Sequence, residues 1–182
     1  MFLLHMLQNY NKWKVLQIFF DHPLVREFQL REISRKINLA SPSVKNYLEE
    51  LEKEQFIIKQ KNRVQNYPIY FANRDYKNFK YFKKIDLQER LFSSGLIAFP
   101  NDTFLPDAIV LFGSASKGED TELSDIDLFI SSKMKKIELT KYEKVLNRKI
   151  NLLFEPDFNK FSKELKNNIL NGIALSGYVK VF

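Results

Sequence analysis

Asp125 and Asp127 flank a single isoleucine at the head of an apolar run, Ile126 to Ser131. Such a run reads as a strand, and in a strand residues two apart share a face. The two carboxylates then stand side by side, where they repel each other and are costly to bury unpaired. A divalent cation relieves that cost. Mg²⁺ suits the task, because this hard ion is commonly held by one or two carboxylates together with substrate phosphates. Ten residues separate Asp125 from Gly113-Ser114, which ends a buried-strand pattern, Ala108-Ile109-Val110-Leu111-Phe112. Glycine lets backbone approach a ligand closely, and Ser114 with its neighbouring amides can donate to phosphate oxygens. Residues 113–130 thus combine a phosphate cradle with a metal pair. Ser124 has two readings, a hydrogen bond near the phosphates or a cap on the turn before Asp125. Glu119, Asp120 and Glu122 read as solvated loop charges.

The string LFGSASKGEDTELSDIDLFI resembles, almost position by position, the signature of the DNA polymerase beta-like nucleotidyltransferase superfamily, and within it the minimal nucleotidyltransferase branch. The resemblance implies Mg²⁺ as cofactor and an NTP, with ATP expected, as substrate or ligand. It implies catalysis and metal binding at Asp125 and Asp127. It implies nucleotide binding at Gly113, Ser114, Lys117 and Ser124, with Lys117 near the triphosphate. The family's chemistry uses a third acid on the next strand, completing a two-metal arrangement that stabilises the attacking and leaving oxygens of an in-line displacement. The corresponding stretch here is Lys149-Ile150-Asn151-Leu152-Leu153, and Asn151 stands in the acid's place. An amide oxygen can still ligate a metal, but it has no negative charge and is no useful base. Glu155 shares the strand face of Asn151 but lies more than roughly 10 Å further along, a poor substitute. Members of this branch often act as antitoxins, some by adding AMP to a partner HEPN toxin. That partner is implied by the resemblance alone.

The elements that must position these residues can be read in order. The C-terminal half predicts a strand over 108–112, a short helix after the Gly-Ser turn, and a strand over 126–131. A helix over about 138–146, a strand over 149–154, a helix over about 158–170 and a last strand over 178–182 follow. The resemblance implies a small α/β domain with a mixed sheet.

Charge divides the chain. Residues 1–90 carry 17 Lys and Arg against 10 Asp and Glu, a net of +7, while residues 91–182 carry 12 of each. A basic half that meets nucleic acid, beside a neutral half with another task, fits that asymmetry; a basic solvated face is the alternative. The absence of cysteine excludes disulfides, thiolate zinc sites and a cysteine nucleophile, and suits a cytoplasmic protein. With only His5 and His22, a histidine metal site is not expected. The apolar start, Met1 to Leu7, is too short for a membrane span and lacks a basic leader, so it reads as helix or packing surface.

In the basic half, Trp13 to Phe20 cluster as a helix that Asp21-His22-Pro23 ends. A second amphipathic helix covers 29–37, with Leu30, Ile33 and Ile37 inward. Ser41 as N-cap and Pro42 at the first position open a third, striped by Val44, Tyr47, Leu48 and Leu51. Two β-rich runs, 56–60 and 67–71, are joined by a polar basic tip, with Pro68 marking an edge strand. Three helices and a basic hairpin look like a winged helix-turn-helix. In that fold the third helix enters the major groove and the wing touches the backbone. Carried onto this chain, Ser41, Ser43, Lys45 and Asn46 open the recognition helix, and Lys59, Lys61 and Arg63 lie on the wing. Arg31 and Arg35 could reach phosphate from the second helix. The acids Glu49, Glu50, Glu52 and Glu54 fall at the far end of the third helix, away from DNA. Protein contact is the alternative use of this fold.

Asp75 to about Phe92 reads as a connecting helix that bridges domains or helps a dimer form. The expected organisation is α+β: a winged helix-turn-helix over 1–75, a connecting helix over 76–92 and a nucleotidyltransferase-like domain over 93–182. Three functions fit. One is an Mg²⁺-dependent transfer of NMP from an NTP to a protein or nucleic-acid hydroxyl, by a DNA-binding antitoxin or regulator. Another is a transcriptional regulator whose transferase domain only senses nucleotide. The third is a structural adaptor, against which the intact GSASKG and SDID stretches argue. Expected partners are DNA, a HEPN-type toxin or other protein acceptor, and a second copy as a homodimer on paired half-sites; no membrane is expected.

Overall fold

The computed structural model describes residues 9–181. Residues 1–7, read above as helix or packing surface, lie outside the described residues, as does Phe182. The chain divides into two compact units, one ending at Lys83 and the other beginning at Lys84.

The first unit opens with α1 (Tyr10–Asp21), α2 (Leu30–Ile37) and α3 (Ser41–Lys53). Asn9 caps α1 by accepting the Lys12 amide at 3.1 Å. The apolar positions recur at helical spacing and turn inward: Leu16 and Phe19 from α1, Ile33 from α2, and Val44, Leu48 and Leu51 from α3 are fully buried. Asn38, in the left-handed conformation, ends α2. Ser41 is not the N-cap of α3. The Ala40 carbonyl already accepts the Val44 amide, so Ala40 takes the cap, Ser41 is the first helical residue and Pro42 the second rather than the first, still within the turn whose amides need no helical partner. A hairpin follows, β1 (Ile57–Lys61) paired antiparallel with β2 (Pro68–Ala72). Its tip is built by Asn62, whose side-chain oxygen accepts the amides of Val64 and Gln65. Phe28 adds a short bridge to Tyr70 that sequence reading missed. The next helix, α4 (Lys77–Ser93), begins in this unit, where Phe79 and Phe82 join its core.

Lys12 departs from the apolar filling. It is wholly buried, and its ammonium lies 2.7 Å from Glu54 and 2.9 Å from Glu50. The start of α1 is thereby tied to the end of α3.

The second unit takes the C-terminal part of α4, then α5 (Ala98–Phe104), β3 (Ala108–Phe112), α6 (Gly113–Lys117), β4 (Ile126–Ile130), α7 (Thr140–Leu146), β5 (Ile150–Phe154), a 3₁₀ turn (Phe158–Lys160), α8 (Lys163–Leu170) and β6 (Ile173–Gly177). The sheet order is β5-β4-β3-β6, parallel between β4 and β5 and antiparallel elsewhere. It is therefore mixed. Alternation along the strands sorts side chains onto two faces. Ile109, Leu111, Ile126, Leu128 and Ile150 pack with Leu91, Tyr142 and Leu146 on one face. Ala108, Val110 and Phe129 pack with Phe158 and Ile169 on the other.

The stretch around Pro100, for which the sequence indicated no element, contains α5, since a proline in the first helical turn removes an amide that needs no partner. Three expectations are corrected in this unit. The helix expected from 138 starts at Thr140, whose amide is met by the Glu138 carboxylate. The helix expected over 158–170 is broken at Phe161, where the backbone is extended and Ser162 caps α8 by accepting the Leu165 amide. The last strand lies at 173–177 rather than 178–182. There the backbone pairs with β3, and the Tyr178 amide closes onto the Asp107 carbonyl beyond it.

Lys12→Ala is expected to destabilise the first unit by roughly 3 kcal/mol. That is the low end for breaking a buried pair, because Glu50 is half exposed and rehydrates. Trp13 is the only tryptophan of the chain and packs on Phe20 and Phe82. Urea unfolding followed by its fluorescence measures the loss; an unchanged midpoint would show that the ion pairs carry no net stability.

Candidate active site

The site forms where three neighbouring strands place Phe112, Asp127 and Asn151 in register. Asp127 pairs with Phe112 of β3 on one side and with Asn151 of β5 on the other. Asp125, just ahead of β4, has the parity of Asp127. The Asn151 side-chain nitrogen donates to both carboxylates, 3.1 Å from Asp125 Oδ2 and 3.1 Å from Asp127 Oδ1. One neutral amide therefore holds together two groups that repel. Asp125 and Asn151 are exposed and Asp127 is half-buried, so the trio opens to solvent.

Gly113 follows β3 directly, with φ at +73°, the left-handed region that disfavours side chains. A Cβ there would lie 2.6 Å from Asp127 Oδ2. Backbone geometry thus favours glycine, and a Cβ would push the Asp127 carboxylate aside. α6 then runs to Lys117, closed by left-handed Gly118. Ser116 donates its hydroxyl to the Gly113 carbonyl at 2.8 Å. Ser114 is half-buried and Lys117 exposed. Ser124 spends its hydroxyl on the turn before Asp125: it accepts the Thr121 amide at 2.9 Å and lies 3.2 Å from the Thr121 hydroxyl. These are the contacts of a turn cap ahead of Asp125.

Asp120 is not a solvated loop charge. It is 2% exposed and pairs with Arg148, a residue that sequence reading passed over. The Arg148 guanidinium also donates to the carbonyls of Ser124, at 2.8 Å, and Asp125, at 3.0 Å. One side chain ahead of β5 thus binds the loop that carries Asp125 at three points. No signal local to either segment could reveal this, since 28 residues separate the partners. Glu155 lies beyond the far end of β5, where it accepts the Asp157 amide and pairs with Lys160, remote from Asn151.

Among the described residues no group of three His, Cys, Asp or Glu side chains could hold a metal ion. The set present is two carboxylates and an amide, beside a strip of backbone kept bare at Gly113. That set fits one hard divalent cation whose remaining ligands come from water and substrate oxygens.

In the first unit, Arg31, Arg35 and Ser41 line one open hollow of about 660 Å³ together with Gln29 and Asn38. Ser43, Lys45 and Asn46 are exposed on the first turns of α3, and Lys59, Lys61 and Arg63 are exposed on the hairpin. The acids of α3 do not all stand apart from these residues. Glu49 lies 3.8 Å from Lys45, and Glu52 lies 3.9 Å from Lys59. Exposed pairs of this kind are worth little and exchange readily for other anions.

Residues 95–179 match the family model described as polymerase beta, nucleotidyltransferase. The match supports the DNA polymerase beta-like superfamily for the second unit and a nucleotidyltransferase-type function. No curated protein matches the chain. No helix among the described residues is long and apolar enough to cross a membrane.

Two substitutions test this geometry. Gly113→Ala is expected to cost at least the roughly 1–2 kcal/mol of left-handed strain and to force Asp127 away from Asn151. A shift of the Asn151 side-chain amide in nitrogen-15 NMR reports that displacement. Arg148→Ala takes the guanidinium from a buried carboxylate and is expected to cost roughly 3–5 kcal/mol in chemical denaturation. Arg148→Lys should recover only part of it, because an ammonium cannot span the three acceptors.

Proposed function

We propose that the second unit transfers a nucleoside monophosphate from an NTP, with ATP expected, to a hydroxyl of a protein or nucleic acid. The acceptor oxygen bonds to the α-phosphorus. The bond from that phosphorus to the bridging oxygen breaks, pyrophosphate leaves with the electron pair, and the hydroxyl proton passes to solvent. The observation that carries this reading is the Asp125–Asp127 pair beside bare backbone at Gly113, within the segment that matches the nucleotidyltransferase family. Asp125 and Asp127 would hold Mg²⁺, which when bound supplies the charge that neutralises the triphosphate. Gly113 leaves room for the phosphates, the Ser114 hydroxyl donates to them, and the exposed Lys117 ammonium adds positive charge.

We also propose that the first unit is a winged helix that binds DNA, as a dimer on paired half-sites. Three helices followed by an antiparallel hairpin support this, as do the exposed Arg31, Arg35, Lys45, Lys61 and Arg63. The function is then that of a DNA-bound regulator or antitoxin, with a HEPN-type toxin as one candidate acceptor. A second reading keeps the same binding site but no turnover: a nucleotide-sensing regulator. The amide at 151, in place of an acid, favours it.

Label transfer from α-labelled ATP in the presence of Mg²⁺ and host extract separates the two. Label on a discrete protein or RNA, lost in the Asp125→Asn, Asp127→Asn double variant, is the expected outcome for an enzyme. Nucleotide binding without label would overturn catalysis and leave the sensor. DNA affinity is expected to fall steeply with salt, with a log–log slope of about −0.9 per phosphate neutralised, and to lose about one unit of slope in Arg63→Ala. A salt-insensitive interaction would overturn the DNA reading.

A further inference from the structure

The Asn151 amide occupies the space between two carboxylates that a cation would otherwise join. Its nitrogen lies 3.1 Å from an oxygen of each, so the site carries its own neutral cross-link. Strand register sets the two side chains opposite each other. Asn151 is the direct partner of Asp127 in the parallel β4–β5 pair, and no other strand position of β5 faces Asp127.

We infer that Asn151 restricts this site to a single divalent cation, which binds by displacing the Asn151 amide nitrogen from Asp125 and Asp127. The inference rests on the proposed cation site at those two aspartates and goes beyond it by fixing its capacity. The two carboxylates bring two negative charges, which one dication neutralises. Beside the substrate phosphates a second ion would need a further carboxylate from the protein, and Asn151 presents none. Rotating the amide by half a turn replaces its donor with its carbonyl oxygen, so the same side chain that closes the empty pair becomes a neutral ligand of the filled one. Glu155 cannot make up the missing charge. It lies past the end of β5, engaged with Asp157 and Lys160. The clamp from Arg148 keeps Asp125 in place during the exchange, since it holds backbone carbonyls and leaves the Asp125 carboxylate untouched.

The measurement is electron paramagnetic resonance of Mn²⁺, added in excess to the full chain with a non-hydrolysable ATP analogue. Two ions held about 3.5–4 Å apart couple their spins, whereas one ion does not. The native chain is expected to show an isolated Mn²⁺ spectrum at every ratio. Asn151→Asp is expected to show a coupled pair. A coupled pair in the native chain would overturn the inference, and so would an uncoupled spectrum in Asn151→Asp. The Asp125→Asn, Asp127→Asn double variant distinguishes the premise: if it keeps the bound Mn²⁺ signal of the native chain, or if the native chain gives none, the cation site itself is wrong.

Discussion

Two negative charges held at one end of a strand are the constraint to which the second unit answers. Asp125 and Asp127 gain nothing for the fold by standing together; their mutual repulsion opposes it. The neighbouring strands therefore supply what the pair lacks. β5 contributes an amide that donates to both carboxylates. β3 is followed by a left-handed glycine, where a side chain would press on the Asp127 carboxylate. Arg148 grips the approach loop by its carbonyls and by the buried Asp120. Each partner acts from a different segment, and the sheet order β5-β4-β3 is what brings them to one place.

Both units use a buried ion pair to join segments distant in sequence. Lys12 meets Glu50 and Glu54 in the first, and Arg148 meets Asp120 in the second. Such pairs seldom add net stability over apolar packing, because desolvation offsets most of the attraction. Removing one partner is nevertheless costly. Their effect is to penalise alternatives. A slipped α1 would strand an ammonium in the core, and a displaced 120–125 loop would strand a carboxylate.

Much of this was legible in the sequence. Apolar runs located β3, β4 and β5 within about one residue, and the ten-residue interval between Gly113-Ser114 and Asp125 marked the candidate site. Local signals failed where distant contacts decided the outcome. Tyr178-Val179-Lys180-Val181 has stronger β character than Ile173-Ala174-Leu175-Ser176, yet the latter is the strand, because it is the stretch that β3 pairs with. Asp120 looked like any acid in a polar loop until Arg148 was placed beside it. Lys12 carries no mark in its own helix that would separate it from Lys14, which is half-buried and lies over the Tyr10 ring.

The parallel pairing of β4 with β5 also dictates the order of assembly. Parallel neighbours need a crossover, here through α7, before the second strand can arrive. During synthesis the cradle and both aspartates emerge well ahead of Arg148 and Asn151, and domains form only as their non-local contacts become available. A nascent chain stopped short of β5 would hold every acidic residue of the site but neither the clamp nor the amide that organises them. The aspartate pair therefore gains its organising partner only when a neutral side chain arrives on β5, after its own charges have left the ribosome.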